Sequence, residues 1–416
     1  MQQRGTCAVV GAGIIGVCIA YELTKRGVDT VLIDKDEPGR GSSYGNSGAI
    51  SPASVAPLAM PGVLASVPSM LGHPDSPLFL PWRYFPRALP WLARFVWASR
   101  PSAVEKSATR LAEIHQQAVS LHEALAHEVG APEVILKRGH LHLYPNERAL
   151  NGDRASWRLR ERHGITFTRI ARPEILGLEP QAPAGYQVGI YLENQATLRN
   201  PFRYLHAIFA KFLDNGGRFV QANVQSLKND ANGGWTLDTS CGPMNAQHVV
   251  VAAGAWSRRL LRPLGIQLPL ETQRGYHVQF RGDAAAVSRT VVLTDHKAFF
   301  TPMEDGLRVG GTVELAGLKA EPNLHRADIL ARIAKRAFPQ LEGQPYDTWM
   351  GHRPCMPDSV PVIGPSKKRP GLWLAVGHGH LGLTDSVGTA KIIADGMLGP
   401  LGRSSSRPGD HAPHGI

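Results

Sequence analysis

The sequence predicts an α/β fold in which a discontinuous domain with a parallel sheet is joined to a second, α+β domain with an antiparallel sheet. Three strands that lead into glycine turns support the first domain, and they lie at 7–23, 248–257 and 372–397; the first and the third continue into a helix. Units of this kind build parallel sheets. Between them, alternating apolar and polar residues predict antiparallel strands. The chain therefore leaves the first domain twice and returns to it.

The first unit carries the spacing Gly-x-Gly-x-x-Gly at Gly11, Gly13 and Gly16, and Asp34 closes the next strand 23 residues after Gly11. In such a unit the first glycine permits a tight turn, the second lets backbone amides approach a pyrophosphate, and the third lets the helix lie close to the strand. Asp34 can accept hydrogen bonds from an adenosine ribose, which disfavours NADP. The spacing predicts a Rossmann-type dinucleotide-binding domain.

The remaining elements follow from apolar periodicity. Strands are predicted at 7–10, 30–33, 140–144, 166–168, 190–192, 219–227, 235–239, 248–252, 276–280, 291–294, 299–303, 307–311 and 372–376. Helices are predicted at 15–23, 104–125, 201–214, 327–338 and 384–397. This order assigns 1–50, 200–270 and 350–398 to the nucleotide-binding domain, 51–199 and 271–349 to a substrate domain, and 399–416 to a disordered tail.

The composition indicates a globular protein of a reducing compartment. Of the 416 residues, 43% are hydrophobic and 19% are charged, which is the ordinary balance of globular proteins. The four cysteines form no Cys-x-x-Cys pair, so disulfides are not expected. A cytoplasmic location is therefore predicted. The apolar residues after Arg4 belong to the first unit rather than to a signal peptide. No apolar run of about 18 residues could span a membrane.

The net charge of +11 would suit an anionic small substrate or anionic lipid. The basic residues are dispersed and no nucleic-acid-binding pattern is present, so nucleic acid is not an expected partner. A chain with 17 histidines could hold a metal ion, and His140 and His142 are the candidate pair. No metal site is predicted, because this pair lacks carboxylate or cysteine partners at the spacing of metal ligands.

Five segments, in this order, resemble the FAD-dependent D-amino-acid oxidase superfamily. They are 11–16, the loop with Ser43, Asn46 and Gly48, 252–256, 351–354 and 377–379. Within the superfamily, the segments 46–62, 308–314 and 354–364 resemble the small subunits of bacterial D-amino-acid dehydrogenases. The resemblance extends over 5–398.

The resemblance implies noncovalent FAD and hydride transfer from the α-carbon of a D-amino acid to the flavin, with hydrolysis of the imine to a 2-oxo acid and ammonia. It also implies a quinone or the respiratory chain as electron acceptor. Three alternatives stay open: a dehydrogenase of cyclic imino acids such as D-proline or cis-4-hydroxy-D-proline, a sarcosine or glycine oxidase, and a noncatalytic FAD-binding electron-transfer subunit. The last would not need a substrate-binding arginine.

Four residues are predicted at the substrate. Arg353 matches the superfamily's carboxylate-binding arginine, and a guanidinium grips a carboxylate through two parallel hydrogen bonds. Tyr276 matches a tyrosine of the dehydrogenase subfamily whose hydroxyl could reach the substrate; a tyrosine packed into the sheet is the alternative. Asn46 is expected to contact flavin or substrate. His380 replaces a smaller residue of the subfamily and is expected to alter the substrate pocket.

The fingerprint and the resemblance together predict cofactor contacts from glycine turns and from the residues around them. These are Val10, Gly11, Ala12, Gly13, Ile14, Ile15, Gly16, Asp34, Lys35, Ser42, Ser43, Asn46, Gly48, Val224, Ala253, Gly254, Gly379, Leu381, Gly382 and Thr384. The last three open a helix whose amides and dipole would favour negative charge on a reduced flavin.

A basic, aromatic segment at 78–100 suggests contact with a membrane. Trp82, Trp91 and Trp97 are interleaved with arginines, and no acidic residue follows before Glu105. Such a segment suits a peripheral position on the cytoplasmic face of the inner membrane, where electrons could pass to a quinone. The alternative is a proline-punctuated segment packed over the substrate domain.

Overall fold

The computed structural model describes residues 6–62, 76, 78–230, 233–282 and 286–399. The strands of these residues are β1 (Cys7–Val10), β2 (Thr30–Asp34), β3 (Ala49–Ile50), β4 (Leu78–Phe79), β5 (Ile135–Leu136), β6 (His140–Tyr144), β7 (Thr168–Ala171), β8 (Val188–Leu192), β9 (Ala196–Leu198), β10 (Arg218–Gln221), β11 (Val224–Asn229), β12 (Trp235–Thr239), β13 (Gly242–Ala246), β14 (His248–Val251), β15 (Glu271–Arg281), β16 (Thr290–Leu293), β17 (Ala298–Met303), β18 (Gly306–Glu314), β19 (Tyr346–Cys355), β20 (Val362–Pro365) and β21 (Leu372–Val376). The α-helices are α1 (Ile14–Lys25), α2 (Phe85–Ala98), α3 (Pro101–His115), α4 (Ala118–Glu128), α5 (Glu147–Gly152), α6 (Arg154–Arg162), α7 (Arg172–Leu178), α8 (Pro201–Asp214), α9 (Ser257–Leu261), α10 (His325–Ala337) and α11 (Gly382–Leu398).

The first sheet has six strands in the order β10-β2-β1-β14-β21-β20. All neighbours are parallel except β20, which runs antiparallel to β21. Helices α1, α8 and α11 cover one face with residues such as Ile19, Ile208 and Ile393. The three-stranded sheet β11-β12-β13 packs over the other face. The predicted Rossmann-type parallel sheet is confirmed, and the carboxyl ends of its strands meet at one edge.

The second sheet has nine strands, in the order β19-β15-β18-β17-β16-β6-β8-β7, with β4 beside β18. Its pairs are antiparallel apart from β16 with β6 and β4 with β18. Helix α10 covers one face through a core that includes Phe300, Leu330 and Phe338. The other face is the floor of the cavity described below.

Three predicted elements differ from the structure. The single helix predicted over 104–125 is two helices, α3 and α4, because the chain turns at Gln116 and Gln117 and both halves pack on α11. The strand predicted over 219–227 is two strands, because β10 ends against β2 at the edge of the parallel sheet and β11 joins another sheet. The strand predicted over 166–168 begins at Thr168 and extends to Ala171.

The domain boundaries given above stay a prediction. One observation bears on them: α4 lies in the range assigned to the substrate domain, yet its Leu125 and Ala126 belong to the core beneath the parallel sheet. The predicted tail at 399–416 lies, apart from Gly399, outside the described residues. None of the helices in the described part of the chain is both long and apolar enough to cross a bilayer.

Candidate active site

One cavity of about 960 Å³ joins the carboxyl edge of the parallel sheet to the floor formed by the nine-stranded sheet. This volume is at the upper end of the range for small-molecule sites. All four predicted substrate residues line it, as do the predicted cofactor residues other than Gly16, Gly48 and Thr384. The structure therefore brings together residues that are more than 300 positions apart in the chain.

The three glycines of the Gly-x-Gly-x-x-Gly spacing are glycine for different structural reasons. Gly11 has φ +111°, and a Cβ there would lie 2.4 Å from the carbonyl oxygen of Ala252. A Cβ on Gly16 would lie 1.8 Å from the carbonyl oxygen of Gly11. Gly13 has an ordinary extended conformation, and the nearest atom to its Cβ position is Ser43 Oγ at 3.3 Å. The fold thus requires Gly11 and Gly16, whereas the space at Gly13 belongs to the cavity.

Asp34 stands at the end of β2 with its carboxylate fixed by backbone amides. Oδ2 accepts a hydrogen bond from Ala12 N at 2.6 Å, and Oδ1 accepts one from Asp36 N at 3.2 Å. Burial raises the pKa of this carboxyl, and the two amide hydrogen bonds oppose that shift. The remaining lone pairs of Asp34 are acceptors at the cavity edge, as ribose binding requires.

These features fit a dinucleotide such as FAD. The backbone at Gly13 is open to a pyrophosphate, and the first helical amide of α1, Ile14 N, donates to Ser43 Oγ at 2.9 Å. A helix N-terminus with amides beside open space is an anion site. Lys35, Val224 and Gly254 complete the same end of the cavity.

The three predicted cofactor residues outside the cavity support its walls. Gly16 packs α1 against the turn at Gly11. The carbonyl of Gly48 accepts from Leu198 N at 2.6 Å. Thr384 Oγ1 donates to the carbonyl of Ala49 at 3.3 Å and accepts from Ser51 N at 3.1 Å.

Arg353 lies on β19 with its guanidinium over β15 and β18. Nη1 and Nη2 donate to the carbonyls of Thr312 and Gly311, each at 3.3 Å. These consecutive carbonyls face the same group because the pairing of β15 with β18 shifts register there, placing an extra residue in β18. A Cβ on Gly275 would lie 2.2 Å from Arg353 Cζ. Glycine at 275 is therefore what makes room for the guanidinium.

The electrostatics of Arg353 call for an anion. Burial lowers the pKa of its guanidinium. No carboxylate among the described residues forms an ion pair with it, and its protein partners are the two carbonyls. Even a partly buried cation held only by carbonyls is costly. A carboxylate entering the cavity would complete the site.

Tyr276 lines the cavity, but its hydroxyl is already in use. It donates to Glu314 Oε2 and accepts from Asn323 N at 2.9 Å. The side chain belongs to the core under α10, because successive residues of a strand point to opposite faces and Gly275 faces Arg353. The predicted substrate contact stays a prediction, and these contacts favour the alternative of a packed strand tyrosine.

Asn46 and His380 line the cavity as expected. Asn46 Oδ1 accepts from Gly48 N at 2.7 Å, so one side of its amide serves the turn. His380 follows Gly379, whose amide donates to the carbonyl of Pro354 at 2.8 Å, which places the turn next to Arg353. The surrounding protein and the charge of Arg353 lower the pKa of His380 to about 4, although its side chain is exposed to the open cavity. Its ring is neutral at neutral pH.

Sequence reasoning missed four cavity residues: His277, Trp349 and Gly310 lie on the sheet floor, and Ser47 lies on the loop against Gly310. A signal for His277 was present, because alternation along β15 places it on the same face as Gly275. The contacts that Trp349 and Ser47 make lie across strands, and the chain pattern gave no signal for them.

The chain matches the family model described as FAD dependent oxidoreductase (DAO) over residues 6–396. It is 37% identical over 406 residues to a D-amino-acid oxidase of Bradyrhizobium diazoefficiens, covering 96% of each chain. It is 33% identical over 402 residues to a D-amino acid dehydrogenase of Paramagnetospirillum magneticum, covering 94% of each. The crystal structure of glycine oxidase from Geobacillus kaustophilus has the same fold, with a TM-score of 0.75, 20% identity and 96% of each chain covered.

Proposed function

Since the chain belongs to the DAO family of FAD-dependent oxidoreductases and is an FAD enzyme that oxidises amino acids, we propose that its substrate is a D-amino acid, converted to a 2-oxo acid and ammonia. FAD is bound noncovalently, as in this family. The proposal rests mainly on Arg353, whose guanidinium lines the cavity and forms hydrogen bonds only with backbone carbonyls among the described residues. The names of the two relatives support the D configuration.

The residues present would hold the cofactor from end to end. The amides at Gly13 and Ile14 would hold the pyrophosphate, Asp34 the ribose, and the turn from Gly379 to Gly382 the flavin end. Bound there, FAD would supply the acceptor for a hydride from the α-carbon of the substrate.

The chain itself binds and orients the substrate. Arg353 would fork onto the α-carboxylate, which fixes where the α-carbon lies. The imidazoles of His380 and His277 stay neutral, since the surrounding protein lowers their pKa values to about 4 and about 3. Neutral rings beside Arg353 add no further positive charge near the substrate amine.

The same carboxylate clamp would serve cyclic imino acids such as D-proline or cis-4-hydroxy-D-proline, so these stay within the proposal as alternative substrates. A noncatalytic electron-transfer subunit would have no use for Arg353. We propose a quinone or another component of the respiratory chain as electron acceptor.

An anaerobic titration tests the substrate class. We expect D-amino acids or D-proline to bleach the flavin absorbance of the purified protein, and the matching L-isomers to leave it unchanged. Re-oxidation by a soluble quinone and by oxygen, measured on the reduced protein, then compares acceptors. A protein that retains FAD and is bleached by no amino acid of either configuration would contradict the proposal.

Helix α2 and the residues before it present an exposed apolar surface beside the cavity mouth. Trp82 is 82% exposed, Trp97 62% and Leu89 51%, and Phe85, Leu89 and Val96 also line the cavity. Arg83, Arg87, Arg94 and Arg100 are exposed on the same segment. Trp91, in contrast, is buried and donates from Nε1 to the carbonyl of Cys355 at 3.2 Å. We propose that this surface contacts anionic lipid, which supports delivery of electrons to a quinone in the membrane.

Replacing Trp82 and Trp97 together by serine tests the membrane contact. We expect binding to phosphatidylglycerol-containing vesicles to fall by roughly tenfold or more in flotation, since each change removes an apolar side chain from the interface. Binding should also weaken with salt. Leu324, which is 56% exposed elsewhere on the surface, gives the control Leu324→Ser. Equal flotation of both variants and the unmodified protein would reject the contact.

A further inference from the structure

We propose that His277 is a positioning residue of the active site, which holds the segment Gly45–Ser47, here called the cavity loop, against the nine-stranded sheet beside Arg353. The proposal goes beyond the general reaction and rests on the proposed function only for the identity of the substrate. All three residues of the cavity loop line the cavity.

The cavity loop lies across three positions that are neighbours in the sheet. Trp349, His277 and Gly310 are paired in register on β19, β15 and β18. His277 Nδ1 lies 2.9 Å from the carbonyl oxygen of Gly45. The Trp349 ring occupies the space of a Gly45 side chain, because a Cβ there would lie 2.1 Å from Trp349 Cε3. At the third position, a Cβ on Gly310 would lie 2.5 Å from Ser47 Oγ.

Arg308 holds the next carbonyl of the same loop. Its Nη1 donates to the carbonyl of Asn46 at 2.6 Å, and its Nε donates to Gln279 Oε1 at 3.0 Å. Burial lowers the pKa of Arg308 to about 10, and no carboxylate among the described residues pairs with it. A partly buried guanidinium without an ion-pair partner is also costly, so its role lies in the contacts it makes. Two consecutive carbonyls of the loop are thus bound by side chains of the sheet, one by the buried His277 and the other by the partly buried Arg308.

The hydrogen bond to Gly45 also fixes the state of the His277 ring. A carbonyl oxygen can only accept, so Nδ1 carries the proton and Nε2 is the acceptor atom of a neutral ring. The ring stacks on Trp349 with centroids 5.1 Å apart and an interplanar angle of 21°. The nearby guanidinium groups of Arg308 and Arg353 disfavour a charged ring. His277 is therefore a fixed, uncharged donor.

The consequence is geometric. The guanidinium of Arg353 lies over Gly275, two positions before His277 on β15. The residue that fixes the cavity loop and the residue that makes room for the carboxylate clamp therefore share one strand face. A loop released from His277 would change the distance between Asn46 and a substrate held by Arg353. Misplacement by about 1 Å can cost roughly 100-fold in rate.

Three substitutions of His277 separate positioning from direct contact with substrate. The amide nitrogen of asparagine lies where Nδ1 of histidine lies, whereas the amide nitrogen of glutamine lies where Nε2 lies. We expect His277→Asn to keep the hydrogen bond to Gly45 and to stay within about threefold of the unmodified protein in flavin reduction rate. We expect His277→Gln and His277→Leu to lower this rate by roughly tenfold to 100-fold.

Three further measurements do not depend on turnover. Binding of propionate, followed by the change in flavin absorbance, should weaken at least fivefold in the Gln and Leu variants and little in the Asn variant; FAD affinity and thermal unfolding report on general damage. Activity kept by Gln and lost by Asn, or equal behaviour of all three variants, would overturn the positioning role. If the unmodified protein binds propionate but no D-amino acid reduces it, the proposed substrate is wrong and the propionate comparison still tests His277.

Discussion

Replacing Arg353 by methionine is expected to lower kcat/KM for the best D-amino acid by roughly 10²–10³-fold, mainly through KM, because truncating one member of a buried charge pair costs about 2–5 kcal/mol. The guanidinium is held over Gly275 by two carbonyls and has no carboxylate partner among the described residues. The α-carboxylate of the substrate would be the missing partner. Arg353→Lys should recover only part of the loss, since an ammonium cannot form the two parallel hydrogen bonds.

The measurement is steady-state kinetics with a fixed acceptor, together with the flavin absorbance spectrum. Arg289 provides a matched control, because its guanidinium is also buried and is paired with Glu179 away from the cavity. Arg289→Met should lower the melting temperature and leave KM unchanged. An Arg353→Met variant with unchanged KM would remove the clamp from the mechanism, whatever its stability.

The nucleotide end of the site could be predicted from sequence because its chemistry is local. Gly11, Gly13 and Gly16 lie in one unit of strand, turn and helix, and Asp34 ends the strand that follows it. The turn conformation follows from the residue types themselves. The resemblance to a family predicted that Arg353 binds the substrate carboxylate, and in the structure Arg353 lines the same cavity. Strand alternation also predicts that Tyr276 and its neighbour Gly275 point to opposite faces of β15. The substrate contact predicted for Tyr276 did not take this alternation into account.

The rest required the folded chain. The cavity loop is held by His277 and Arg308, which are more than 200 positions away in sequence. Both contacts depend on strand register, which no single segment encodes. The break between α3 and α4 has the same origin, because apolar spacing continues through Gln116 and Gln117 and packing on α11 decides where the helix ends.

Replacing Gly13 by valine is expected to raise the dissociation constant for FAD by roughly 100-fold, the upper range for forcing a side chain into occupied space. The unliganded protein should keep nearly the same melting temperature. The backbone at Gly13 has φ −73° and ψ 176°, which valine adopts readily, and the nearest atom to its Cβ is a serine hydroxyl oxygen at 3.3 Å. The side chain would instead occupy the space where the pyrophosphate approaches the amides of α1.

Two further glycines complete the test. Gly185 lies outside the cavity, and a Cβ there meets no atom of the described residues within 4 Å, so Gly185→Ala should bind FAD normally. Gly16→Ala should instead destabilise the fold, because its Cβ would lie 1.8 Å from a carbonyl oxygen. Isothermal titration of apoprotein with FAD and thermal unfolding separate these three outcomes. If the Gly13 variant bound FAD as tightly as the unmodified protein, the pyrophosphate would have to lie elsewhere, since a side chain at this position and a phosphate cannot share the same space.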